Sequence, residues 1–159
     1  KILKAAQIIR DEKIAQPILL GNKEKILALI QENSLDLEHV TIIDPLEETE
    51  KLDQFTKVLY DKRKRKGMTL TDASRLVTQR NYFGAMMVEV GLADAFISGL
   101  TRDYPKTILP SLHTIGVKPE AKRVAGMYIM NTDKGPYFFA DTTVNMVPGQ
   151  RLVKVLVAG

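Results

Sequence analysis

Two short apolar runs near the start restrict the fold more than any other feature of the chain. Pro17-Ile18-Leu19-Leu20-Gly21 and Val40-Thr41-Ile42-Ile43-Asp44 are each too short for a helix. Each is closed by turn chemistry, Gly21 in one case and Asp44-Pro45 in the other, so each reads as a buried strand. Between them Lys23 to Gln31 is amphipathic, with Ile26, Leu27, Leu29 and Ile30 expected on the buried side. Ahead of both, residues 2 to 14 carry Ile2, Leu3, Ala5, Ala6, Ile8, Ile9 and Ile14 at helical spacing. Helix, strand, helix, strand in that order requires crossovers, and hence parallel strands with helices packed on their faces. The fold class predicted is α/β, a mostly parallel sheet flanked by helices in three αβα layers.

The next elements follow from periodicity and caps. Glu47 to Lys66 places Leu52, Phe55, Val58 and Leu59 at helical spacing and ends at Gly67, a suitable C-cap. Thr69-Leu70-Thr71-Asp72 reads as a helix start capped by Thr or Asp. Ala73 to Gln79 and Asn81 to Val90 then read as two helical stretches. Gly84 and Ala85 in the second permit close approach of a sheet or a partner helix, and its apolar side suits a subunit interface. Asp94 to Ser98 reads as a further buried strand. Gly99 and a polar turn follow, and then a helix entered at Pro105, where the fixed φ and missing N–H are tolerated. Arg123 to Met130 and Pro136 to Asp141 read as an antiparallel hairpin bent at Asp133 to Gly135, and Gln150 to Ala158 as a last helix.

A strand that ends in glycine and polar residues before a helix start is where α/β proteins gather anions and ligands. Two such places stand out. The first holds Ser98, Gly99, Thr101, Arg102, Asp103 and Thr107; the second holds Asp141, Thr142 and Asn145. If their strands are neighbours, one crevice carries hydroxyls, a guanidinium and two carboxylates. The alternative is an ordinary βα connection with solvated polar residues. No nucleophile–base pair emerges, since nothing brings Ser98 to His113, and neither phosphate-loop nor dinucleotide glycine motif is present.

Charge narrows the partners. The net charge is +4, and Lys62-Arg63-Lys64-Arg65-Lys66 supplies five positives in a row. Removing these leaves 18 positive residues against 19 negative. The basic character therefore belongs to one helix end, where it complements the dipole; a phosphate contact is the sharper reading. Aromatic residues do not interleave with the run, which argues against nucleic acid. There are no cysteines, which excludes disulfides and thiolate metal sites, and the two histidines are too few for a His-rich site. No apolar run approaches the ~20 residues that span a bilayer, and the N-terminus lacks a signal-peptide pattern. The expectation is a cytoplasmic protein with no membrane or nucleic-acid partner.

Wording spread along the chain resembles the phosphate acetyl/butyryltransferase family. It comprises Lys66-Gly67-Met68-Thr69-Leu70, Tyr82-Phe83-Gly84-Ala85-Met86-Met87, Gly91-Leu-Ala-Asp94-Ala, Ser98-Gly99, Leu109-Pro110-Ser-Leu112, Ala125-Gly126-Met-Tyr-Ile-Met130 and Phe139-Ala-Asp141-Thr-Thr-Val-Asn145. Thr101-Arg102-Asp103-Tyr104-Pro105 looks most like the phosphotransacetylase-type domain at the C-terminus of bacterial NADP-dependent malic enzymes. The resemblance implies one phosphotransacetylase-like α/β domain over 1–159, part of a two-part fold and incomplete at the C-terminus. Its first implied function is a regulatory and oligomerisation module that binds acetyl-CoA or CoA as effector without catalytic residues of its own. NADP and a divalent metal would then sit only in an upstream malic-enzyme domain, which would be a partner together with further copies of the chain. The alternative it implies is acetyl transfer between CoA and phosphate.

Departures from the family pattern bear on that choice. The family carries an arginine before the proline of the helix where Leu109 precedes Pro110, threonines where Arg102, Asp103 and Tyr104 stand, and a serine where Ala125 precedes Gly126. A guanidinium binds phosphate through a fixed fork of donors that leucine cannot supply. Asp141 and Asn145 match the pattern.

Overall fold

The computed structural model describes residues 1–101, 103–117, 121, 124 and 126–140. The chain divides into two compact units, Lys1–Gly116 and Val117–Gly159. The first unit contains α1 (Ile2–Asp11), β1 (Ile18–Leu20), α2 (Lys23–Glu32), β2 (Thr41–Ile43), α3 (Thr49–Arg63), α4 (Leu70–Val77), α5 (Arg80–Glu89) and α6 (Tyr104–Thr114). A single 3-10 turn, Lys64–Lys66, extends α3. The second unit contains β3 (Met127–Thr132) and β4 (Gly135–Ala140).

The strands β1 and β2 pair in parallel, with Leu19 opposite Ile42 and Leu20 opposite Ile43. Successive side chains of a strand point to opposite faces, and the two rows go to different cores. Leu19 and Ile42 pack with Ala6 and Leu3 of α1, Ile26 and Ile30 of α2, and Leu37. Leu20 and Ile43 pack against the larger cluster, built from Phe55 and Leu59 of α3, Ala73 and Val77 of α4, and Tyr82, Phe83, Met86 and Met87 of α5. Helices therefore cover both faces of this parallel pair, as the order of elements predicts. The rings of Phe55 and Phe83 meet edge to face, with centroids 5.0 Å apart.

The ends of the elements are set by local chemistry. Asn22 caps α2 by accepting from the Lys25 amide at 3.0 Å. Thr69 caps α4 in a reciprocal box: its hydroxyl oxygen accepts from the Asp72 amide, and the Asp72 carboxylate accepts from the Thr69 amide. Gly67 closes the basic turn at φ +87°, a left-handed conformation that disfavours any side chain. Asp44, the carboxylate after β2, accepts from Asn22 Nδ2 and from the Leu46 amide, which makes it a turn residue.

Three expectations are corrected. Asp94 to Ser98 is not a strand, although its apolar run suggests one. A strand needs a ladder partner, and among the described residues the parallel sheet consists of β1 and β2 alone. Ile97 there is 88% exposed. Leu27 and Leu29 on α2 are exposed at 48% and 46%, because only the Ile26/Ile30 edge of that helix reaches the sheet. The apolar residues Tyr82 to Met87 of α5, expected to suit a partner surface, are all buried within the first unit. Met127–Thr132 and Gly135–Ala140 form the predicted antiparallel hairpin, with Thr132 opposite Gly135. The expected helix 150–158 lies outside the described residues.

The packing predicts a graded response to mutation. Phe83→Ala removes a fully buried ring and should cost about 3–5 kcal/mol. Thr69→Ala removes one cap and should cost about 1 kcal/mol. Denaturant unfolding of both variants measures the difference, and equal losses would contradict this placement of the core.

Candidate functional site

The predicted loop is held from two sides. Ser98 Oγ donates to Asn81 Oδ1 at 2.9 Å, and Asn81 Nδ2 donates to the Lys106 carbonyl at 3.2 Å. One side chain at the start of α5 thus ties the loop to the first turn of α6. Gly99 sits at φ +114°, and a Cβ there would face Thr107 Cγ2 at 3.5 Å. Thr107 donates its hydroxyl and its amide to the Asp103 carbonyl, both at 3.2 Å. Lys106 pairs with the Asp103 carboxylate at 2.8 Å. Pro105 is the second helical residue, so the amides of Tyr104 and Lys106 precede the first intrahelical bond of α6. The structure thus brings Ser98, Gly99, Asp103 and Thr107 together and places Thr101 in the same turn. Arg102, Asp141, Thr142 and Asn145, like Ala125, lie outside the described residues.

The Ser98 hydroxyl points its proton at an amide oxygen, so among the described residues it has no general base to activate it as a nucleophile. His113 is bound elsewhere: its Nδ1 lies 2.8 Å from the Tyr82 hydroxyl. Ser98 and His113 therefore serve different sites.

The second site was signalled only by the basic run, and the structure resolves which of its members matter. Lys62 reaches across to Glu89 of α5 and donates to the Thr114 carbonyl at 2.6 Å, binding the end of α6 to α3 and α5. Lys64 pairs with Asp61 at 2.6 Å and lies over the Tyr60 ring. Those two are structural. Arg63 and Lys66 instead line a cleft of about 260 Å³ with Gly67, Met68, Asp72, Arg75, Leu76 and His113.

Electrostatics make this cleft suited to an oxyanion. Among the described residues, three cations, Arg63, Lys66 and Arg75, share it with one carboxylate. That carboxylate, Asp72, accepts from the Thr69 hydroxyl at 2.6 Å and from Arg75 at 3.2 Å. The Thr69 bonds, and then Arg75, hold it below the usual carboxylate range, so it stays committed to the helix cap. Arg63 Nε is buried and makes no hydrogen bond. A buried donor without a partner is costly, and the guanidinium as a whole supplies a fixed fork of charged donors suited to an oxyanion. Burial holds the His113 imidazole below its ordinary value, and Arg63 and Lys66 push the same way. Burial raises the Tyr82 phenol. The run of charge was visible in the sequence; that Arg63 turns inward was not, since α3 curls into a 3-10 turn just there.

Both sites lie along α6, Thr107 near its start and His113 at its end, about 9 Å apart by helical rise. Leu109 stands between them, 47% exposed.

The loop geometry depends on one close approach. A Cβ on Gly84 would fall 2.3 Å from the Phe96 ring, so glycine makes the seat for that ring on α5. Gly84→Ala should displace the loop and destabilise by about 1–2 kcal/mol. In a Phe96→Ala background the same change should stabilise by up to about 1 kcal/mol, because alanine is the better helix former. Thermal unfolding of the four proteins in this cycle measures the reversal, and no change of sign would contradict the packing.

Comparison with known proteins adds an independent line. The family model for phosphate acetyl/butaryl transferase matches residues 1–157. A phosphate acetyltransferase of Thermoanaerobacterium thermosaccharolyticum is 36% identical over 154 residues, covering 93% of this chain and 46% of that protein. One from Bacillus subtilis is 34% identical, covering 93% and 45%. The crystal structure of a phosphotransacetylase from Streptococcus pyogenes superposes with a TM-score of 0.84 at 34% identity, covering 98% of this chain and 47% of that one. The chain therefore spans about half the length of the relatives it matches.

Proposed function

The chain belongs to the phosphate acetyl/butaryl transferase family, and we propose that it is the part of a phosphate acetyltransferase that holds a phosphate group of the reactants. The reaction is acetyl transfer between CoA and inorganic phosphate. In it the CoA thiolate attacks the carbonyl carbon of acetyl phosphate, the carbon–oxygen bond to phosphate breaks, and phosphate leaves with the electron pair. Charge accumulates on the departing oxygens, and fixed cations placed beforehand stabilise it without reorganisation. The observation that carries the reading is the convergence of Arg63, Lys66 and Arg75 on one cleft from α3, the 3-10 turn and α4. The loop from Ser98 to Thr107 is proposed to contact CoA or acetyl-CoA, and Asp141, Thr142 and Asn145 are proposed as further ligand-binding residues on the strength of the family pattern.

One observation favours a second reading, the regulatory module of an NADP-dependent malic enzyme that binds acetyl-CoA without turning it over. Leu109 stands exposed on α6 where the resemblance implies a phosphate-binding arginine. The relatives described above, all phosphate acetyltransferases, weigh for the transferase.

Steady-state acetyl-phosphate formation by the full-length protein separates the two. The transferase reading expects turnover, and Arg63→Gln should lower kcat/KM for phosphate roughly 10- to 100-fold, the loss of one charge-assisted bond of about 1.5–3 kcal/mol. Lys64→Gln, which removes an exposed pair with Asp61, should stay within about twofold. Absent turnover that appears in Leu109→Arg, with acetyl-CoA still bound by the unaltered protein, would favour the regulatory module.

A further inference from the structure

We propose that His113, oriented by the Tyr82 hydroxyl, is a proton-linked donor of the Arg63 cleft, so that an oxyanion bound there is accompanied by a proton taken up on the imidazole. The inference rests on the reading of that cleft as an oxyanion site and adds a residue and a pH dependence to it.

His113 sits in the last turn of α6 and is partly buried, with its ring contributing to the cleft wall. Its Nδ1 is fixed by Tyr82, a buried residue of α5, at 2.8 Å; the two rings are tilted by 47°. A phenol hydroxyl both donates and accepts. It donates to bare Nδ1 when the imidazole is neutral and accepts from Nδ1–H when the ring is charged. The same contact therefore serves both protonation states and leaves Nε2 for the cleft.

The groups around the ring come from every element packed on it. Arg63 of α3 and Lys66 of the 3-10 turn are cationic and oppose protonation. Arg75 of α4 adds a third positive charge to the cleft, and Asp72 of α4 is held by Thr69 and Arg75. Tyr82 of α5 is neutral. Lys62 and Glu89 pair with each other beside the Thr114 carbonyl, next in sequence to His113. Without an anion this surrounding favours the neutral ring. A dianion seated among Arg63, Lys66 and Arg75 reverses the balance, since it offsets their field and faces the imidazole with opposite charge.

Linkage fixes the sign. The free ring titrates below its ordinary 6.5, and the proposal requires the anion-bound ring to titrate higher. Affinity is then greatest below the free midpoint and falls as pH rises through the bound one. A difference of about one pH unit between the midpoints corresponds to about tenfold in affinity.

The test uses sulfate, which does not titrate in this range, with the full-length protein. Histidine-ring NMR, with the His113 signal assigned by its loss in His113→Gln, follows the midpoint with and without saturating sulfate. The expected result is a rise of about one unit at His113. Calorimetry should show sulfate binding about tenfold tighter at the acid end than at the alkaline end, a dependence flattened in His113→Gln. Tyr82→Phe keeps the ring and removes the hydroxyl, and should cut the rise to below about half a unit. Sulfate binding that depends on Arg63 while the His113 midpoint stays put would overturn the role of His113 and leave the cleft standing. No binding, or binding unchanged in Arg63→Gln, would overturn the cleft and the proposal with it.

Discussion

Helix α5 has no solvent face over Tyr82 to Met87, and the loop before α6 and both ends of α6 are held by it. Phe83 meets Phe55 edge to face and fixes α5 against α3. With that contact in place, the remaining side chains of α5 become anchors. Asn81 holds Ser98 and the first turn of α6. Tyr82 holds His113 at the other end of α6. Gly84 receives the Phe96 ring, and Glu89 pairs with Lys62. A helix buried on this many sides sets the positions of its neighbours.

Much of this architecture could be read from the chain. The βαβ order at the start dictates a parallel pair, and the alternation Leu19/Leu20 against Ile42/Ile43 divides the side chains between two helical layers. The caps at Thr69 and Gly67 follow from residue type alone. Periodicity failed where pairing decides. Asp94 to Ser98 has strand-like composition but finds no ladder among the described residues, and its Phe96 turns to Gly84 instead. The apolar residues of α5 looked equally fit for a partner, because composition does not say which surface will cover them.

The candidate site divides in the same way. Ser98, Gly99, Asp103 and Thr107 converge because a glycine in the left-handed region and a helix start are both local signals. The oxyanion cleft is not local. It draws Arg63, Arg75 and His113 from three helices, and five consecutive basic residues look alike until the chain shows which are already paired. Lys62 and Lys64 are spent on Glu89, Thr114 and Asp61, whereas Arg63 keeps a buried donor without a partner. That contrast within one run separates structural charge from charge available to a ligand.

The central claim is that an oxyanion belongs in the Arg63 cleft, and diffraction can locate one directly. Crystals of the full-length protein soaked in selenate should show an anomalous peak within about 4 Å of the Arg63 guanidinium, at the distance of a charge-assisted contact. A well-occupied selenate elsewhere, at the first turn of α6 for example, with none beside Arg63, would contradict the account.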